Sequence, residues 1–132
     1  MTQGKGLFLL GLKREIVTES VVDTGKRKLD CILFRMRLGH VQLNEYLFKI
    51  GRADTNQCSY CGDVETIEHF LIDCDQYNNE RLQLFIKVSR ILGYPPTLSV
   101  KLLLGGGDFP IGKNRMLTCA LGSYIQDTRR FV

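Results

Sequence analysis

The residues of this chain best suited to chemistry are three cysteines and a histidine between residues 58 and 74. Cys58 and Cys61 are followed by His69 and Cys74, which gives the spacing C-x2-C-x7-H-x4-C. Zinc in structural sites takes four thiolate or imidazole ligands in a closed tetrahedron, and a C-x2-C turn brings two sulfurs together on one tight loop. The spacing therefore predicts one structural zinc site, with zinc as the cofactor and these four side chains as its ligands.

Short local elements must position the four ligands. The segment 66–73 has apolar side chains at helical spacing, so it predicts a short helix that carries His69. Cys74 is five residues after His69, and an unbroken α-helix would turn it away from the histidine. We therefore expect the helix to end near residues 71 to 73, with Cys74 in the turn that follows. Gly62 comes directly after the first two ligands, where a tight metal-binding turn often needs positive φ.

Other interpretations of the cluster remain open. Its members could be ordinary buried thiols beside a core histidine. Cys58 and Cys61 could form a redox pair, although a redox C-x-x-C normally opens a helix after a strand, and no such strand is predicted. Catalytic zinc keeps an open coordination position, whereas four ligands fill the shell. Asp73 and Asp75 beside Cys74 are more typical of solvent-facing caps than of a magnesium site, so the sequence predicts a protein that is not an enzyme.

The pattern of the whole chain predicts an all-α fold, a small helical domain with an antiparallel helical hairpin and the zinc site. Apolar side chains at positions i, i+3, i+4 and i+7 mark the helices, which are expected near residues 29–38, 42–50, 66–72, 76–92, 98–104 and 113–130. The short link between the first two favours the antiparallel hairpin. We expect helix 29–38 to be central, with Phe34 buried, and Thr97 to cap the helix that begins at residue 98.

Composition and charge limit the class of protein. The chain has 132 residues, an apolar content of 44% and a net charge of +4, which suits one globular domain of modest basic character. We assign the helical zinc-binding module to residues 28–132, with its zinc turn at 58–74, because residues 1–27 are poorly defined by the sequence. The N-terminal apolar run is too short for a secretory signal or a membrane span. We therefore expect a cytoplasmic or nuclear protein with no membrane partner, in which Cys31 and Cys119 are inert core thiols.

Several motifs occur in the order found in one known family. The first segments are Leu33-Phe-Arg-Met-Arg-Leu-Gly-His40 and Leu43-Asn-Glu-Tyr-Leu-Phe-Lys-Ile-Gly-Arg-Ala-Asp54, followed by the cluster with Glu65-Thr-Ile-Glu-His69. The later segments are Pro95-Pro-Thr-Leu98, Leu102-Leu-Leu-Gly105 and Tyr124-Ile-Gln-Asp-Thr-Arg-Arg-Phe131. As a combination they resemble the C-terminal zinc-binding region of non-LTR (LINE-like) retrotransposon reverse transcriptases, which often follows an RNase H domain.

The resemblance covers residue 28 to the end of the chain and carries expectations about function. It implies zinc on Cys58, Cys61, His69 and Cys74 and a role near template RNA or target DNA. The sequence contains no polymerase or RNase H motif, so we expect either a fragment or a domesticated product of a retroelement. A reverse transcriptase polymerase domain is then a candidate partner.

Basic and aromatic residues near the cluster favour nucleic-acid association. The candidate binding residues are Lys28, Arg35, Lys49, Arg52 and Tyr60. We predict weak, sequence-tolerant binding to RNA or single-stranded DNA, with Tyr60 stacking on a base as loop aromatics of zinc knuckles do. Tyr60 could equally pack on the zinc loop, and each basic residue could lie on a solvated helix face. Acidic residues around the turn oppose phosphate and keep open a second hypothesis, a zinc-stabilised helical module that docks on protein; they are Asp63, Glu65, Glu68, Asp73 and Asp75.

Overall fold

The computed structural model describes residues 21–131, and this part of the chain is helical, as predicted. Its elements are α1 (Arg27–Leu38), α2 (Asn44–Lys49), a π-helix (His69–Asp73), a 3₁₀ turn (Asp75–Tyr77), α3 (Asn78–Leu92), α4 (Val100–Leu103) and α5 (Ile111–Thr128). Between residues 21 and 131 the β-structure is limited to an isolated antiparallel bridge between Gln57 and Val64. None of the helices described is both long and apolar enough to cross a lipid bilayer.

Helix α5 is the centre of the fold, and α1, α3 and α4 pack against it. Leu117, Leu121 and Tyr124 are buried on it at the predicted spacing. Gly122 lets α1 approach closely, because a Cβ atom built there would lie 2.8 Å from Leu29 Cδ2. The prediction that helix 29–38 is central is therefore wrong, since that helix is buried mainly on the side that faces α5.

Helix α1 buries one apolar stripe and exposes another. Leu29, Leu33 and Met36 are buried, whereas Phe34 is 50% exposed and Leu38 is 45% exposed. The predicted burial of Phe34 is wrong, because the apolar residues surround much of the helix and only one side meets the core. Thr24 fixes the start of α1, since its backbone N–H and its hydroxyl both donate to Asp30 Oδ1.

The second predicted helix is shorter than expected. Helix α2 covers only Asn44–Lys49 and contains no buried residue. The apolar anchors of this region, Val41 and Leu43, lie just before it and are buried. The antiparallel hairpin of α1 and α2 is not confirmed. Among residues 21–131, the helices that pack extensively are α1, α3 and α4, each against α5, and α1 and α2 do not pack on each other to that extent.

The later helices lie close to their predicted ranges, and one of them is capped by a different residue from the one expected. Leu84, Val88 and Leu92 form the buried stripe of α3, while Leu82 is 55% exposed. The short helix α4 is capped by Ser99 and not by Thr97, since Ser99 Oγ accepts a hydrogen bond from the backbone N–H of Leu102.

The two cysteines outside the cluster differ in environment. Cys31 is exposed on α1, so the prediction of a core thiol is wrong for this residue. Cys119 is half-buried on α5, and its thiol lies 3.6 Å from the carbonyl oxygen of Asp23. The predicted boundary between residues 27 and 28 stays a prediction, and residues 1–20 lie outside the described residues.

Candidate metal centre

A tight turn presents the first two cysteines of the cluster. The bridge between Gln57 and Val64 closes its base, and the N–H of Cys58 donates to the carbonyl of Asp63 at 2.7 Å. The N–H of Gly62 donates back to the carbonyl of Cys58 at 2.9 Å. Gly62 has φ +82°, which confirms the prediction of positive φ and explains why a residue without a Cβ stands there.

A π-helix carries His69 and leads directly into Cys74, the other two residues of the cluster. The N–H of Cys74 donates to the carbonyl of His69 at 2.7 Å, which is an i to i+5 hydrogen bond. This bond places residue i+5 nearly above residue i, so Cys74 stays close to His69. The helix ends at Asp73 and Cys74 follows with extended backbone, as the sequence predicted. The wider helical turn was not predicted, and it brings together two ligands that an α-helix would separate.

The four side chains form a compact cluster. One ligand atom from each of Cys58, Cys61, His69 and Cys74 can be chosen so that all lie within 4.8 Å of one another. The sulfur of Cys74 lies 3.8 Å from that of Cys58 and 3.6 Å from that of Cys61. Zinc–sulfur bonds of about 2.3 Å in a tetrahedron place two sulfurs about 3.8 Å apart. The sulfur positions therefore suit a tetrahedral ion.

The histidine is also suited to metal binding. His69 is 6% exposed, and its Nε2 atom is buried without a hydrogen-bond partner among the described residues. A buried, unpaired imidazole nitrogen costs free energy, which a coordinated metal ion would recover. Thr66 fixes the start of the helical segment that carries His69, since Thr66 Oγ1 accepts a hydrogen bond from the backbone N–H of His69 at 2.9 Å.

The cysteines have unequal affinities for protons. Burial would raise the pKa of Cys58, but the backbone N–H groups of Cys61 and Tyr60 favour its thiolate, and its pKa falls to about 7. Burial raises the pKa of Cys74 to about 12, and the neighbouring sulfurs of Cys58 and Cys61 add to the effect. Thiolates held this close repel one another, and a divalent cation among them removes that repulsion.

An arginine on α3 holds the carbonyl end of the π-helix. Arg81 Nε donates to the carbonyl of Leu71 at 3.0 Å, and its Nη2 donates to the carbonyl of Cys74 at 2.8 Å. Its Nη1 also donates to Asn78 Oδ1 at 2.9 Å. The carbonyl of Cys74 also accepts a hydrogen bond from the backbone N–H of Tyr77, at 3.3 Å. Arg81 therefore ties α3 to the backbone at Leu71 and at Cys74.

An aromatic group links the same segment to α5. Phe70, next to His69, is fully buried among the rings of Tyr77, Tyr124 and Phe131. The hydroxyl of Tyr124 donates to the carbonyl of Phe70 at 2.6 Å, and burial raises the pKa of Tyr124. The metal-ligand segment is therefore attached to the central helix through apolar packing and one buried hydrogen bond.

One acidic residue near the turn is structural. Glu65 is 4% exposed, and its carboxylate accepts hydrogen bonds from Arg130 Nε at 2.9 Å and Nη2 at 2.7 Å. It also accepts from the backbone N–H of Asn44 at 2.7 Å. The view of Glu65 as a charge that faces incoming phosphate is therefore wrong, because Arg130 compensates it. The other acidic residues of that group are exposed, namely Asp63, Glu68, Asp73 and Asp75.

The predicted nucleic-acid residues are all at the surface. Lys28, Arg35, Lys49 and Arg52 are exposed, and Tyr60 is 64% exposed in the turn between the cysteines. The described contacts do not bring these five side chains together into one cluster. His40, just after α1, stacks its ring on Tyr46 with centroids 5.3 Å apart, and its backbone N–H donates to the carbonyl of Arg35 at 2.9 Å.

Sequence reasoning missed the residues that support the cluster. Arg81 and Tyr124 lie on helices that were correctly predicted, but nothing in their spacing indicates which backbone atoms they bind. Glu65 and Arg130 are separated by 65 residues. A buried ion pair over that separation has no local signal, whereas the metal ligands lie within one short segment.

Comparisons with known proteins add no relative. No protein-family model matches the chain, and neither curated proteins nor solved structures give a match. The resemblance to reverse transcriptase tails therefore stays a prediction from motifs.

Proposed function

We propose that the cluster is a structural zinc centre. The sulfur separations support this proposal, as does the buried nitrogen of His69 without a partner. Three thiolates and an imidazole form a soft ligand set that suits zinc better than magnesium or calcium. Four protein ligands would fill a tetrahedral shell and leave no position for a reacting water, so the proposed role of the metal is to stabilise the fold.

We further propose that this zinc module binds RNA or single-stranded DNA weakly. The observation that carries the proposal is the exposure of four cations, Lys28, Arg35, Lys49 and Arg52, and of Tyr60, which is 64% exposed in the turn between Cys58 and Cys61. Exposed lysine and arginine attract phosphates, and an exposed ring in a zinc turn offers a face for base stacking. By resemblance, the module would act as a tail of a retroelement reverse transcriptase, near its polymerase domain.

A specific observation favours a second candidate, docking on another protein. Phe34 and Leu38 are both about half exposed and lie four residues apart, so they share one face of α1. Phe48 and Ile50, at the end of α2, are also about half exposed. Exposed apolar groups of this size are typical of contact surfaces. A polymerase domain of the same retroelement would be the expected partner.

Fluorescence anisotropy of the zinc-loaded protein with a labelled single-stranded oligonucleotide tests the first candidate. Three or four phosphate contacts predict a slope of about −2 to −3 for log affinity against log salt. Tyr60→Ala should weaken binding by about 1–3 kcal/mol if a base stacks there. Lys28→Ala combined with Arg35→Ala should flatten the salt slope. Folded, zinc-loaded protein that does not bind at low salt would favour docking.

A further inference from the structure

A groove of about 440 Å³ lies between the start of α1 and the end of α5. Its floor is apolar and includes Leu29, Ile32, Ile125 and Phe131. Lys26, Lys28 and Arg129 also line the groove, and all three are exposed. None of the described residues that line the groove is acidic, so it combines an apolar surface with positive charge.

Arg129 also belongs to a second groove, of about 330 Å³. This groove is polar, and the residues that line it include Ser59, from the zinc turn, together with Asn44 and Gln76. Arg129 therefore stands where the polar groove beside the zinc turn meets the apolar groove beside α1. Its backbone has φ +58°, the left-handed conformation that ends α5.

The charges along both grooves favour a polyanion. The carboxylate in the polar groove is Glu65, and Arg130 compensates it through two hydrogen bonds. Arg129 forms no ion pair with the residues described in this structure. The side-chain ammonium of Lys26 donates to the neutral amide oxygen of Gln126, at 3.3 Å, and to no carboxylate among these residues. Phosphate groups would thus meet cations that no carboxylate has neutralised.

We infer that a single strand of nucleic acid runs from the zinc turn across Arg129 and into the groove between α1 and α5. In this arrangement a base lies on the apolar floor, and phosphates contact Lys26, Lys28 and Arg129. A strand repeats a phosphate and a base at every nucleotide, so it offers anions to the three cations and flat ring faces to the apolar groove. An amphipathic acidic peptide is the competing occupant, and the experiment below includes one. The inference rests on the proposed nucleic-acid function and assigns it a path.

Arg129→Gly is the sharpest variant for testing this path. Glycine adopts the left-handed conformation without strain, so the substitution removes the guanidinium while the end of α5 is preserved. Lys101→Ala is the matched control, because it removes one exposed positive charge outside both grooves. Binding is measured by anisotropy with fluorescein-labelled oligouridylate on zinc-loaded protein, and melting curves verify that each variant is folded.

The inference predicts that Arg129→Gly lowers affinity about fivefold at 0.1 M salt and reduces the salt slope by about 0.7, as one lost phosphate contact requires. Lys28→Ala should have a similar effect, and Lys101→Ala should have little. If wild-type protein binds but Arg129→Gly matches the control, the path is wrong, while the binding itself still supports the proposed function. If wild-type protein does not bind at low salt, both are wrong. If Arg129→Gly loses only a labelled acidic amphipathic peptide and keeps oligouridylate, the groove is a peptide site and the inference is overturned.

Discussion

Replacing Arg81 with alanine should weaken both the fold and the metal centre. The substitution removes the donors to the carbonyls of Leu71 and Cys74, at 3.0 and 2.8 Å, and leaves both oxygens without that partner. Hydrogen bonds from charged donors contribute about 1.5–3 kcal/mol each, and the partial exposure of Arg81 lets water replace some of that, so we expect a net loss of about 2–3 kcal/mol. Groups that orient metal ligands typically change metal affinity by about 10- to 100-fold. Zinc affinity should therefore fall by at least about tenfold.

Urea denaturation of zinc-loaded protein measures the first effect, and competition with a chromogenic zinc chelator measures the second. Arg90→Ala is the control, because Arg90 is an exposed arginine on the same helix. Arg81→Lys should recover only part of the loss, since one ammonium does not reproduce the guanidinium fork. The reasoning is refuted if Arg81→Ala and Arg90→Ala agree within about 0.5 kcal/mol, the range of ordinary surface substitutions, and bind zinc equally.

Three further substitutions test the packing, each by urea denaturation. Phe34→Ala should cost less than about 1 kcal/mol, because the side chain is half exposed; a loss near that of a buried phenylalanine, about 3–5 kcal/mol, would contradict its exposure. Gly122→Ala should destabilise the protein by about 1 kcal/mol, since the clash with Leu29 exceeds the gain in helix propensity; a stabilised variant would mean that Leu29 moves aside freely. Glu65→Ala should lower the free energy of unfolding by about 3 kcal/mol, because it leaves Arg130 half-buried and unpaired. An unchanged free energy of unfolding would mean that the ion pair does not stabilise the fold.

The sequence predicted what is encoded locally. Cys58 and Cys74 lie at the two ends of one short segment, so the spacing of the cysteines and the histidine indicated the cluster. The long helices α3 and α5 carry sustained apolar stripes and ended near their predicted bounds. Gly62 could be predicted to have positive φ because its place in the turn requires it.

The features that the sequence did not reveal depend on tertiary contacts. Phe34 and Leu33 are adjacent and both apolar, yet only Leu33 is buried, and apolar residues that surround a helix do not specify which side meets the core. Small residues such as Gly122 let other helices pack closely against α5, which places it at the centre of the fold. The spacing of apolar residues does not reveal such close packing. The pairing of Glu65 with Arg130 joins distant parts of the chain and has no local pattern.

The most direct test of the central proposal is the metal content of reduced, folded protein purified without added zinc. Elemental analysis should find one zinc per chain in the wild type and none in Cys61→Ser. Cobalt substitution should give the visible ligand-field bands of a tetrahedral ion with thiolate ligands. Wild-type protein that is folded and reduced but contains no zinc, and takes up none when zinc is supplied, would contradict the proposal.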